Sequence, residues 1–263
     1  MATSSRYVAK IPDREGRIHY TDEEHATWAT LYSRQEKAIK DAACVEYLDA
    51  LERLDLPRTR IPQCVELSER LSDLSGWTVT PVPALINFEK FFELLASKQF
   101  PAASFIRRPE DLDYLQEPDI FHEIFGHVPL LTDPRFAAFS QAYGAAGVAA
   151  DKADHAMLAR LYWFTVEFGL IQRANELKVY GAGIVSSPGE CIYALDDPRP
   201  QRKPFDPLDM LRTPYRIDVY QTVYFIINSF DQLFELSQRD LGGLIREAKT
   251  LGMHEPTYPA KAS

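Results

Sequence analysis

His122 and His127 stand five residues apart in the segment Pro118-Asp119-Ile120-Phe121-His122-Glu123-Ile124-Phe125-Gly126-His127-Val128-Pro129, in a chain with six histidines in all. Imidazoles set among Ile, Phe and Val need a reason to be there, and metal ligation is the commonest functional one. Glu167 offers a third ligand: it is the only charged residue in the run 161–171, and a carboxylate withdrawn from water is costly unless a cation or partner compensates it. Two histidines and one carboxylate around a mononuclear metal leave open coordination positions, the pattern of non-haem Fe(II) oxygenases. The alternative reading of the same residues is a pair of core histidines beside an unrelated buried glutamate.

Spacing separates the metal reading from its nearest rival. In the zinc-protease pattern H-E-x-x-H the histidines are four apart and share one helical face. Five residues turn a regular helix through roughly 500°, so the rings would diverge by about 140°. The second ring must therefore be re-aimed at a helix end or bulge, with Gly126 supplying the local freedom and Pro129 stopping the helix that Asp119 caps, so that His127 is expected at its distorted end. A zinc hydrolase with Glu123 as base stays open as a second reading, and a non-enzymatic helical binding module as a third.

The elements that position these residues read as mainly helical. Thr21-Asp22-Glu23-Glu24 forms a capping box ahead of apolar residues at helical spacing, which predicts one long helix or two in line over 22–54. Further helices are predicted over 63–74, from an Asn87 cap to 97, over 119–127, 134–147, 152–176 and 189–195, and from Ser229 to 251. Strands are predicted at 100–107 and, as two short pieces, within 216–227, with loops at 178–187 and 198–214. The expected fold is mainly α: an irregular helical basket around a mononuclear metal site, with a few short β-strands.

The chain has 263 residues, 46% of them hydrophobic, and no linker, repeat or low-complexity tract. One catalytic domain over 1–263 is expected, with ragged ends at about 1–15 and 252–263. A net charge of −9 without a basic cluster argues against nucleic acid or an anionic membrane and for a small-molecule substrate. Cys44, Cys64 and Cys191 form no C-x-x-C pair, the N-terminus has no apolar signal core, and no stretch approaches a membrane span. A cytoplasmic monomer is expected.

Three runs now combine: the histidine segment extended to Glu117 and Leu130, Trp163-Phe164-Thr165-Val166-Glu167-Phe168-Gly169-Leu170, and Tyr180-Gly181-Ala182-Gly183-Ile184-Val185-Ser186-Ser187. Together they resemble the pterin-dependent aromatic amino acid hydroxylases, in that family's order and over residues 22–234. The resemblance implies Fe(II) held by His122, His127 and Glu167, with a tetrahydropterin (tetrahydrobiopterin or a bacterial equivalent) and O2 as co-substrates. It implies that a ferryl oxidant attacks an aromatic ring as an electrophile. It also implies a pterin pocket of Ile86, Phe88, Phe91 and Glu123, with Phe91 stacked on the pterin. For Phe88 and Phe91, core packing of an amphipathic helix is the plainer reading. Arg107 is implied as the partner of the substrate carboxylate, with Asp119, Trp163, Phe168, Ser186 and Ser187 around the amino acid. Asp119, Glu123 and Tyr162 are implied to support the chemistry from close by.

Departures from the family's animal members also carry weight. Those members have an N-terminal regulatory domain and a C-terminal tetramerisation helix, and neither is expected here. Leu115 and Pro101 replace a Thr and a His that they use. Ile217 stands where tyrosine-hydroxylating relatives place an acidic residue. The expected substrate is therefore L-phenylalanine, converted to L-tyrosine, with tryptophan or tyrosine as alternative substrates.

Overall fold

The structure, a computed structural model, describes residues 7–83, 86–113, 115 and 117–259. Helix Asp22–Ala42 starts on the predicted capping box, the Thr21 hydroxyl accepting from the Glu24 amide while the Glu24 carboxylate accepts from the Thr21 amide. The chain breaks at Ala43-Cys44, where the Cys44 amide donates to the carbonyl of Val179, and resumes as Val45–Leu54. Helices Cys64–Ser75 and Phe88–Ala96 follow, the second capped by Asn87 through the Lys90 amide. Phe88–Ala96 packs along Pro134–Ala149, the most extensive contact between helices among the described residues.

Among the described residues, six short strands accompany the helices. β1 (Thr78–Val82) and β2 (Gln99–Ala103) form a parallel pair in register from Thr78 opposite Gln99 to Val82 opposite Ala103. β3 (Gly169–Arg173), β4 (Glu176–Val179), β5 (Gln201–Pro204) and β6 (Val223–Ile227) build one sheet in the order β4-β3-β6-β5. Its β3–β4 hairpin is antiparallel and its other two pairings are parallel.

Several expected boundaries move. The helix predicted over 152–176 becomes His155–Tyr162, a π-helical turn Trp163–Glu167 and then the β3–β4 hairpin, turned by Ala174 at φ 48°. A fully buried strand and a buried helix both read as an unbroken apolar run, so periodicity could not mark that change. The strand predicted at 100–107 stops at Ala103, the two strands predicted within 216–227 reduce to β6, and the last helix divides into Phe230–Ser237 and Leu241–Leu251, with Asp240 capping the second. The two predicted loops hold a helical turn Ala182–Val185, β5 and the helix Pro207–Arg212, which Asp206 caps. His155 is buried against the rings of Phe88 and Phe92. The three cysteines are buried and unpaired. No helix among the described residues is long and apolar enough to cross a membrane.

Candidate active site

The five-residue spacing is met by a π-helical turn, His122–His127, rather than by a distorted helix end. Backbone bonds that close every five residues bring residues five apart onto one face. The Nε2 atoms of His122 and His127 lie 3.1 Å apart with their ring planes at 87°. Glu167 ends the second π-helical turn, closed by the Phe168 amide on the carbonyl of Trp163, and stands 3.1 Å from His127 Nε2 and 3.6 Å from His122 Nε2. Ligands about 2.1 Å from one cation are about 3.0 Å apart at right angles and about 3.4 Å apart in a tetrahedron, so the three side chains fit one metal ion. Glu123 is the rival carboxylate: with the two histidines it also makes a trio whose ligand atoms lie within 4.8 Å of one another. Its approach to His127 Nε2 is 4.0 Å, longer than either distance from Glu167.

Neighbouring groups hold these turns. Gly126 was expected to supply backbone freedom, yet it is not among the residues at positive φ. Its missing side chain matters instead, because a Cβ there would stand 2.9 Å from the carbonyl oxygen of Ala182. The Tyr47 hydroxyl donates to the carbonyl of Phe125 inside the first turn. Ser186 Oγ lies 2.7 Å from the Ala182 carbonyl and 2.9 Å from His122 Nδ1. A hydroxyl has one proton, and a carbonyl can only accept it, so His122 Nδ1 must be the donor. The tautomer that follows leaves Nε2, which faces His127 and Glu167, unprotonated and able to bind a cation. Ser186, expected at the substrate, therefore orients the His122 ring.

Charge fits the same picture. Burial pushes His122 down to about 4, so its imidazole is neutral. Burial also opposes charge on His127 and on Glu167, but their mutual attraction wins, raising the imidazole and lowering the carboxyl. A cation would take the place of the proton they share. Burial pushes Glu123 up to about 8, which keeps it protonated at neutral pH.

A cavity of about 1110 Å³ opens beside the trio. Ile86, Phe88, Phe91 and Glu123 line it, as do Arg107, Tyr162, Trp163, Phe168, Ser186, Ser187 and Ile217. Phe91 packs edge-on against Tyr162, whose ring lies 6.1 Å from that of His127. Ser187 also caps helix Pro188–Asp196 through the Glu190 amide.

Asp119 is the exception among the expected substrate contacts. It is fully buried and does not line the cavity, because both its oxygens are engaged. One accepts from Arg107 Nε at 2.8 Å and from the Arg107 amide at 2.9 Å, the other from Arg107 Nη2 at 2.9 Å and from the His122 amide at 3.0 Å. Asp119 thus caps the histidine turn, as predicted, and also fixes Arg107. The Nη1 donors of Arg107 are not spent on Asp119, and they leave an end-on edge for a carboxylate. Glu190, Tyr215 and Gln221 also line the cavity, and sequence reasoning missed all three.

A profile of the biopterin-dependent aromatic amino acid hydroxylases matches residues 1–240. The chain is 54% identical to the phenylalanine-4-hydroxylase of Pseudomonas aeruginosa, over 98% of each chain. Among solved structures, the apo form of the cold-active phenylalanine hydroxylase of Colwellia psychrerythraea superposes with a TM-score of 0.95 at 50% identity, covering 98% of this chain and 100% of that one. The Chromobacterium violaceum phenylalanine hydroxylase with bound oxidized Fe(III) gives a TM-score of 0.89 at 46% identity, covering 96% and 91%. The chain belongs to the biopterin-dependent aromatic amino acid hydroxylase family.

Proposed function

We propose that the protein hydroxylates L-phenylalanine at C4 to give L-tyrosine, using O2 and a tetrahydropterin at an Fe(II) site formed by His122, His127 and Glu167. The observation that carries this reading is the convergence of two Nε2 atoms and one carboxylate within 3.1–3.6 Å, in a cavity of about 1110 Å³. That volume is at the upper end for small-molecule sites and suits two ligands at once. When bound, the iron and the reduced pterin supply the activation of O2.

The chain's own residues bind, orient and exclude water. Arg107 takes the substrate carboxylate on the edge that Asp119 leaves, and Asp119 in turn holds both Arg107 and the His122 amide. One buried carboxylate therefore sets the distance between the amino acid's anchor and the metal position. Trp163 and Phe168, with ring centres 4.6 Å apart, form an aromatic wall for the substrate ring, and Ser187 lies beside the amino acid backbone. Ile86, Phe88 and Phe91 form the apolar bed for the pterin, and the Glu123 carboxyl stands at its edge. Tyr162 closes the space between Phe91 and His127 and limits water near the metal.

The helices form a basket around this centre, and residues 1–263 act as one catalytic unit. A monomer is the proposed state: exposed large apolar residues such as Val45, Leu74, Val148 and Ile192 lie on four different helices. Three unpaired thiols suit the cytoplasm. The test is aerobic turnover with Fe(II), tetrahydrobiopterin and each aromatic amino acid in turn, with products separated by chromatography. Tyrosine from phenylalanine as the dominant product is expected. Turnover only with tryptophan, or hydrolase activity with zinc, would overturn the reading.

A further inference from the structure

Residues 213–222, between helix Pro207–Arg212 and β6, carry no helix or strand, yet they form one wall of the cavity through Tyr215, Ile217 and Gln221. Backbone carbonyls in such a wall need partners from elsewhere. Gln221, 4% exposed, provides them: its Nε2 donates to the carbonyls of Arg216, at 2.9 Å, and Val219, at 3.1 Å. Its Oε1 accepts from Trp163 Nε1 at 2.8 Å. The amide cannot be reversed, because the indole only donates and the carbonyls only accept. The Gln221 backbone amide donates to Glu190 Oε1 at 3.2 Å, and the same oxygen accepts from the Tyr224 hydroxyl. Tyr215 stacks on the face of Trp163, with centroids 4.3 Å apart and planes at 16°.

An indole has one hydrogen-bond donor, so holding that N–H fixes the rotation of the ring. A single side chain thereby sets both the turn that carries Ile217 and the orientation of Trp163, and a buried carboxylate anchors it. We propose that Gln221 is a positioning residue that determines specificity for the aromatic substrate. It holds the loop and Trp163 as one surface against which the substrate ring is measured. The proposal rests on the phenylalanine hydroxylation reading above. None of these bonds reaches the proposed iron ligands or Ile86, Phe88 and Phe91, so iron and pterin should not sense their loss.

The test compares wild type with Gln221→Met, which keeps length and removes all three side-chain hydrogen bonds. The variant should raise KM for phenylalanine roughly tenfold and narrow the kcat/KM advantage of phenylalanine over tryptophan. KM for tetrahydrobiopterin and the iron content should stay within about twofold of wild type, since their contacts are untouched. Trp163→Phe removes the indole donor, and combining it with Gln221→Met should cost less than the two effects multiplied, because both break the same contact. Should Gln221→Met not fold, Gln221→Glu serves instead, since it keeps an acceptor for the indole and loses both donors to the loop. An unchanged phenylalanine KM and specificity ratio in a folded variant would overturn the proposal. So would a parallel loss of iron and of pterin affinity, which marks a merely structural role. Wild type that hydroxylates no aromatic amino acid would instead overturn the functional reading.

Discussion

The two π-helical turns and the 213–222 wall meet the same cavity but are held in different ways. His122–His127 and Trp163–Glu167 are fixed first by their own backbone bonds and by close packing, as where Gly126 meets Ala182, with Asp119 and Tyr47 bracing the first turn. The wall has no regular backbone bonding and is held by side chains, chiefly Gln221 and the Arg216–Asp218 pair. Backbone-built positions tolerate little displacement, which suits metal ligands that must agree within a few tenths of an ångström. Positions built by side chains can be changed one residue at a time, which suits substrate choice. Damage to the turns should therefore strike iron and kcat, and damage to the wall should strike KM and specificity.

The largest effect is expected from His122→Ala, which removes one of three proposed ligands. Turnover should be abolished, by a factor on the order of 10³ or more, while circular dichroism still reports a folded chain. Gly181→Ala tests the backing of the second turn. A Cβ at 181 would lie 2.4 Å from the carbonyl oxygen of Glu167 and 2.5 Å from the amide of Gly169, so backbone must move. Iron affinity, read by chelator competition, should fall roughly 10- to 100-fold, the usual scale for disturbing the support of a ligand. Unchanged affinity would show that the turn is not as rigid as the comparison requires.

Arg107→Lys sits between the two regions. Its guanidinium and the Asp119 carboxylate are both buried and doubly bonded, and although burial opposes their charges the pairing keeps Asp119 below the usual carboxylate range. Lysine cannot reproduce the two parallel bonds, so a stability loss of about 2–4 kcal/mol is expected in denaturant titration, with a raised KM for phenylalanine. A raised KM with no change in stability would mean that Asp119 does not depend on Arg107.

Acid should loosen the metal through His127. Its imidazole is raised above its ordinary value in the metal-free site, and a metal needs it neutral. Iron affinity should therefore climb with pH until that raised value is passed, releasing about one proton per iron, then level off. His122, already neutral above about 4, should contribute nothing between pH 5 and 8. Calorimetry at a pH below that raised value, in buffers of different ionisation heat, counts the proton, and none released there would exclude His127 from the site.

The smallest effect belongs to the wall. Ile217→Asp places a carboxylate at the cavity edge, but Ile217 is 53% exposed, so the charge keeps much of its water. A shift of a few-fold in the tyrosine-to-phenylalanine ratio of kcat/KM is expected, without change in iron content. An unchanged ratio would detach Ile217 from substrate choice.

How much was legible in the sequence follows the same division. His122, His127 and Glu167 stood out because charged or imidazole groups in apolar runs demand an explanation. That a re-aimed ring was needed could be computed from helix geometry. The means could not, because no residue pattern distinguishes a π-helical turn from a frayed helix end, and Gly126 turned out to serve packing. The Asp119 cap was readable three residues before His122, but its pairing with Arg107 crosses an irregular segment that no periodicity describes. Glu190 gave no signal: its amide is capped by Ser187 at the start of a helix, and its carboxylate reaches Gln221 and Tyr224, more than thirty residues on, where no local spacing points. The hairpin β3–β4 was lost because the apolar run passes from the second π-helical turn into β3 without a polar break.

The most direct test of the central claim is anaerobic Fe(II) titration of wild type and Glu167→Ala, each shown to be folded, followed by turnover with tetrahydrobiopterin, O2 and phenylalanine. The two π-helical turns should give wild type one tightly bound iron per chain and tyrosine as product, and Glu167→Ala should lose both together. Stoichiometric iron and normal turnover in Glu167→Ala would contradict the account, and would move the third ligand to a carboxylate such as Glu123.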